Sequence, residues 1–409
     1  MDTDRRVHVI KPSPLELPPE PLILMLSGCR WESCGGGQRP VALARQLAAG
    51  YGVIYHNPTA LENETRGDIH IVTRPRMRKL MRQLTDAEPG VVINMLPTEW
   101  FHELAMDLQE AGWRYVYDCI DDWPAFYKAG DLNTYTETLE RDIIETADVL
   151  VSSAPVLQQR LVEWSGGRPC ALIRNGGPSQ PLQRGSVPPL WQRGHEGTVV
   201  YIGYLAGQWF DWSLLRRTAR MLPEVAFNVI GDARHAKHGS RPPENIIYHG
   251  EMPYAACMAA MAHADVGIIP FRDATVCAAV DPIKLYDHWA AGQPIAATHV
   301  MRELHGRPHC HIAPSSVVHM ADAVRAALAD APIAPDEVRD LCAANSWQRR
   351  AAQLLDAIWR GQHEPEQCDG DRRGGGGSDT CPATDGARPD GERLRPGPHA
   401  SGSNRIRRS

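Results

Sequence analysis

Short apolar runs recur along the chain, and most lead through a polar loop into a stretch with apolar residues at helical spacing. Residues 22–27 (LILMLS) are the first, a continuous run of the kind expected of a parallel strand buried on both faces. Runs at 53–55, 69–72, 91–95, 115–117, 149–152 and 171–173 repeat the signal, and helical patterns at 41–49, 77–84, 100–111, 135–145 and 156–164 fall between several of them. Such alternation predicts a parallel sheet with helices on both faces. Residues 178–197 interrupt it with proline, glycine and polar side chains, the composition of a linker. The pattern then restarts, with strands at 199–202, 226–230, 246–248 and 266–269 and a helix over 213–221. An amphipathic helix over 345–359, with Ser346 as its cap, ends the patterned part. The expected organisation is an N-terminal extension (1–21), a first α/β domain (22–177), the linker (178–197), a second α/β domain (198–344), a last helix (345–361) and a tail (362–409).

Composition adds exclusions. Past Gly361 the chain is mostly Gly, Pro, Ser, Asp and Arg, too poor in apolar side chains to offset the entropy of ordering, so the tail is expected to be disordered. A formal net charge of -6, with no basic face interleaved with aromatics, argues against a nucleic-acid binder. Residues 1–21 hold five prolines and no apolar run for a signal peptide, and no later segment approaches the ~20 apolar residues of a membrane span. A cytoplasmic protein is expected, with at most peripheral contact at the inner face of a membrane through Arg405, Arg407 and Arg408. The ten cysteines are scattered without a C-x-x-C pair, as small buried hydrophobes are. His305, His309, Cys310 and His311 are the nearest thing to a metal cluster, but no second cluster completes it, and they read as a surface loop leading into a strand.

Three stretches carry candidate chemistry. Gly35, Gly36 and Gly37, with Gln38 and Arg39, separate the first strand from its helix; side-chain-free backbone there lets a ligand approach a helix N-terminus. YDCIDDWPAFY (117–127) reads as a loop that sets Asp118, Asp121 and Asp122 beside aromatics, a combination suited to sugars and a candidate for catalytic carboxylates. It reads equally as a turn cap with core aromatics. The third stretch, 270–298 (PFRDATVCAAVDPIKLYDHWAAGQPIAAT), places an irregular loop after an apolar strand, then a helix that starts at proline, then Gly292 and a second strand. That is the layout of a phosphate crevice at strand ends. Asp281 at the helix start reads as an N-cap competing for the same N–H groups.

With these residues in hand, the chain resembles bacterial nucleotide-sugar glycosyltransferases of the GT-B fold, in particular those of teichuronic-acid and polysaccharide synthesis. The resemblance rests on Gln38-Arg39-Pro40, YDCIDDWPAFY, ADVLVSS (147–153), Asn175-Gly176, YIGYLAGQWFDW (201–212), ADVGIIPF (264–271) and DPIKLYDHWAAGQPIAAT (281–298), and covers nearly all of the chain except its ends. It implies two Rossmann-like domains facing each other across a cleft, with the last helix crossing back to the first domain. It further implies a nucleoside-diphosphate sugar held by the second domain, a glycan or lipid-linked acceptor at the first, and neither cofactor nor metal. By the same resemblance Gly203 and Tyr204 face the diphosphate, while Gly231 and the segment with His249, Gly250 and Tyr254 enclose the base. Val280, Pro282, Ile283, Lys284 and Leu285 offer helix N–H groups and a cation to the phosphates, and Asp287 accepts from the ribose. Relatives often have a second carboxylate eight positions before Asp287, where this chain has Ala279, and a basic pair where it has Tyr204 and Trp209. Lys284, Arg272 and Arg39 are then the candidates to neutralise the diphosphate. A catalytically degenerate nucleotide- or glycan-binding subunit is the competing reading.

Overall fold

The computed structural model describes residues 17–31, 38–58, 62–130, 132, 134–205, 207–232, 242–272 and 275–360. The glycine run 35–37, most of the N-terminal extension and the tail lie outside these residues.

The apolar runs form strands. In the first half these are β1 (Leu22–Leu26), β2 (Gly52–His56), β3 (Glu64–Arg66), β4 (Ile69–Val72), β5 (Val91–Asn94), β6 (Arg114–Cys119), β7 (Val149–Ser152) and β8 (Cys170–Leu172). They make one sheet in the order β3-β4-β2-β1-β5-β6-β7-β8, parallel throughout except where β3 runs against β4. In the second half β9 (Gly197–Ile202), β10 (Val225–Ile230), β11 (Ile246–Gly250), β12 (Val266–Ile269), β13 (Ile295–Thr298) and β14 (Cys310–Ala313) form an all-parallel sheet in the order β11-β10-β9-β12-β13-β14. β1, β2 and β5 are buried at every position, as strands covered by helices on both faces must be. Residues 178–196, between the sheets, hold neither strand nor helix.

The last helix, Trp347–Trp359, starts on Ser346, whose Oγ accepts from the Arg349 amide. Its buried stripe of Trp347, Ala351, Leu354 and Ile358 packs with Ile23, Met25 and Val41 of the first half. The chain thus returns to its first sheet after completing the second.

Each sheet reverses its strand order at an inner strand, β1 between β2 and β5 and β9 between β10 and β12. Ligand crevices in open α/β sheets open beyond the carboxyl ends of strands at such points. The loops after β1 and β9 both line the cavity described below.

Two elements depart from the sequence reading. The segment read as a loop after β6 contains a helix, Trp123–Ala129, because the Asp122 carboxylate caps it by accepting from the Ala125 amide and Pro124 suits its first turn. The helix after β12 runs Ile283–Ala290, so Pro282 is its cap residue rather than a member of its first turn.

Candidate active site

A cavity of about 510 Å³ lies between the carboxyl edges of the two sheets. The first half contributes the loop after β1 (Gly28, Cys29, Arg30), Gln38 and Arg39, Asp121 and Phe126; the second contributes Tyr201, Gly203, Tyr204, Trp209 and the start of the Ile283–Ala290 helix.

That helix is fixed at both ends. Leu285, Tyr286, Trp289 and Ala290 bury its inner face. At its C-terminus Gly292 takes φ 71°, and the amides of Gly292 and Gln293 return to the carbonyls of Trp289 and His288, the Schellman arrangement that only a residue at ease with positive φ closes without strain. Lys284, in the first turn, rests with its Nζ 5.6 Å from the Tyr201 ring centre and 5.8 Å from that of Phe271, a position favoured by the negative faces of the rings. It is packed directly on Gly203: a Cβ there would fall 2.7 Å from Lys284 Cε and 2.9 Å from Nζ. Gly231 serves the same junction, since a Cβ on it would meet the Gly203 carbonyl oxygen at 1.7 Å. Asp287 is buried, accepts from the Tyr254 hydroxyl at 3.1 Å and lines the cavity. Burial pushes its carboxyl up to about 7, opposed by the Tyr254 hydrogen bond and by Lys284. A proton on this group is therefore easily gained or lost near neutrality.

The three candidate carboxylates of the first half are put to different uses. Asp118 is 0% exposed and Arg39 2%; Arg39 Nε and a terminal nitrogen donate to the two Asp118 oxygens at 2.8 and 3.0 Å, while its other terminal nitrogen donates to the Ile173 and Arg174 carbonyls. Asp118 does not line the cavity, which corrects its expected place; Arg39 does line it, with four of its five N–H groups engaged by Asp118, Ile173 and Arg174. Asp122 caps the 123–129 helix and pairs with Arg160 at 2.7 Å, and it does not line the cavity. Asp121 does line it. Burial, helped by the neighbouring Asp122 charge, raises the Asp121 carboxyl to about 7.

Other expected positions also fall elsewhere. Arg272 donates to the Phe210 carbonyl and sits 3.9 Å from Asp211, outside the cavity lining. His249 points at Asn228 (2.9 Å) and stacks on Trp191, away from the cavity. Gly231, Gly250 and Leu285 do not line it either, Leu285 being core. Val280, Pro282, Ile283 and Tyr254 do.

Asp281 caps nothing. Its carboxylate accepts from the Asn175 amide (2.7 Å) and the Tyr286 hydroxyl (2.9 Å), faces Arg174 and Arg307, and its carbonyl accepts from Asn175 Nδ2. The helix N–H groups are thereby spared, and the 174–177 segment is tied to the second half.

Sequence reasoning passed over Arg30, which lines the cavity and reaches Glu251 from the opposite half at 3.5 Å. Its signal lay in the GCRWESC loop, directly before the glycine run. It also missed that Tyr204 and Trp209, 5.9 Å apart, continue across the cleft to Phe126, 5.8 Å from Trp209.

Residues 196–330 match the family described as glycosyl transferases group 1. The chain carries a glycosyl transferases group 1 domain. This domain holds the second sheet, Gly203, Lys284 and Asp287. The chain is 26% identical over 202 residues to TuaH of Bacillus subtilis (strain 168), named as a teichuronic acid biosynthesis glycosyltransferase; the match covers 45% of this chain and spans about half (50%) of that relative. Its fold is that of an E. coli trehalose-6-phosphate structure bound with UDP-2-fluoro glucose (TM-score 0.54, 12% identity, 82% of this chain and 98% of the other). It is shared equally by a UDP-forming alpha,alpha-trehalose-phosphate synthase from Burkholderia xenovorans (TM-score 0.53, 12% identity, 82% and 98%). These likenesses span the group 1 domain and the first sheet together, so the GT-B architecture of two Rossmann-like halves holds for the whole of the matched chain.

Proposed function

We propose that the protein is a glycosyltransferase that moves a sugar from a nucleoside-diphosphate sugar onto an acceptor in surface polysaccharide or glycoconjugate synthesis, without a metal ion. The observation that carries this reading is the convergence, in one cavity, of Lys284 and its helix start with Asp287 and Tyr254 on one wall and Asp121 on the other. As the bond to the leaving nucleotide breaks, negative charge grows on the diphosphate, and Lys284 with the helix N–H groups is preorganised to receive it. Asp287 and Tyr254 offer a buried polar pair for the nucleotide's sugar. Asp121, with its carboxyl near 7, has the proton affinity of a general base for an acceptor hydroxyl. The names of the relatives support the same class of reaction, and teichuronic acid synthesis, read from TuaH, supports a cell-surface polymer as destination.

A nucleotide- or glycan-binding subunit is favoured by one observation, the aromatic pair Tyr204 and Trp209 where relatives often have cations, with Phe126 packed on Trp209. Single-turnover assays with uridine, guanosine and thymidine diphosphate sugars, with and without chelator, separate the two. Release of free nucleoside diphosphate that withstands the chelator is the expected result. Tight donor binding with no release under any acceptor would leave the binding subunit.

A further inference from the structure

The helix Arg74–Thr85 (RPRMRKLMRQLT) carries Arg74, Arg76, Arg78, Lys79 and Arg82 and no acidic residue, in a chain whose formal net charge is -6. Met77, Leu80 and Leu84 bury one stripe of it among Leu22, Ile54 and Val72 of the first sheet. At helical periodicity this turns Arg78, Lys79 and Arg82 to the opposite side, and all three are exposed. Among the described residues, no ion pair joins any of the five cations to a carboxylate. The first turn places the Arg74 guanidinium 4.4 Å over the ring of the half-exposed Trp100, and an indole is a side chain that favours the boundary between lipid and water. The helix begins just beyond the carboxyl end of β4, on the sheet edge from which the loop Gly28–Arg30 lines the cavity.

We propose that this helix docks the protein on an anionic lipid surface. Four to eight Lys and Arg on one amphipathic helix supply the charge density that lipid phosphates attract. The neighbouring helix, Glu99–Glu110, carries Glu99, Glu103, Asp107 and Glu110. The bilayer therefore meets the basic helix from the side of β3, and the acidic helix marks where contact stops. Docked so, the cavity edge of the first sheet lies beside the membrane, where an acceptor with a lipid tail would be presented. The docking itself does not rest on sugar transfer, because it is measured without donor or acceptor.

The test is sedimentation of the full chain with vesicles of phosphatidylcholine alone and of phosphatidylcholine mixed with phosphatidylglycerol. Binding is expected only with phosphatidylglycerol and is lost in concentrated salt, which screens exposed charges. R78Q/K79Q/R82Q should weaken it roughly a hundredfold while leaving the melting temperature in place, and E103Q/D107Q should strengthen it. Failure of the wild type to bind anionic vesicles overturns the proposal. So does equal binding by the triple variant, which would assign the contact to another part of the chain such as the arginines near its end. Loss of heparin or DNA binding in the triple variant, without vesicle binding by the wild type, overturns it as well.

Discussion

At the carboxyl edge of the first sheet, charged side chains are mostly turned on one another: Arg39 holds Asp118, and Arg160 holds Asp122 and Glu140. At the edge of the second, Lys284 and Asp287 line the cavity, with an aromatic wall and a tyrosine hydroxyl beside them. The first half spends its ion pairs on holding a scaffold from which a single unpaired aspartate, Asp121, reaches the cavity among the three expected carboxylates. The second half brings a lysine, an aspartate and a tyrosine to the cavity wall. Charged residues close together in sequence, such as Asp118, Asp121 and Asp122, can thus have unrelated duties, decided by what each faces.

Breaking the scaffold should have the largest effect. Arg39→Met leaves Asp118 buried without its partner and should destabilise the fold by ~3–5 kcal/mol in denaturant titrations; a loss under ~1 kcal/mol would show that the pair is dispensable. Asp121→Asn should lower kcat by about a hundredfold or more, the range of a lost general base, with donor affinity little changed. The reverse pattern would move Asp121 to the donor side. Asp287→Asn should weaken donor binding by ~1–3 kcal/mol, read by calorimetry, and unchanged affinity would remove it from the ribose.

A smaller effect concerns pH. The carboxyls of Asp121 and Asp287 both sit near 7, raised chiefly by burial. A raised pKa means the folded state holds its proton longer, so this contribution to stability is full below the unfolded value of about 4 and is lost as pH rises through 7. Either asparagine variant should therefore gain stability relative to wild type as the pH rises from about 5 to about 8 in thermal melts. A gap independent of pH would contradict the buried, titrating carboxyls. The smallest effect is assigned to Arg272→Gln, within about 0.5 kcal/mol for stability and neutral for donor affinity; a clear loss of affinity would bring Arg272 back to the phosphates.

Much of the fold was legible because strands buried on both faces are near-continuously apolar, as LILML and the VVI of VVIN are. β3 was not, since all three of its residues, Glu64, Thr65 and Arg66, are exposed on the sheet's edge. The Tyr254–Met261 helix was hidden for the opposite reason: AACMAAM is apolar on every side and has no amphipathic period to read. In the site, the elements around Lys284 and Asp287 could be found because proline, glycine and helix spacing are local signals. The partners of Arg39, Asp118 and Asp281 could not, because Arg39 meets Asp118 across 79 residues and Asp281 meets Asn175 across 106. Pairing over such separations depends on the packed sheets and leaves no mark on neighbouring sequence.

The bonds from Asp281 to Arg174, Asn175 and Tyr286 also bear on how the cleft opens. Arg350 donates to the Asn175 carbonyl, and the Gly177 and Trp347 backbones pair beside it, so both chain crossings between the halves are knotted at one place. That place acts as a fulcrum. Any swing of one half against the other turns about it, and the helix that carries Lys284, which starts two residues after Asp281, rides close to the pivot where displacement is least. Groups farther out, such as the Arg30 and Glu251 side chains, sweep a longer arc, so widening the cleft parts them while hardly disturbing Lys284.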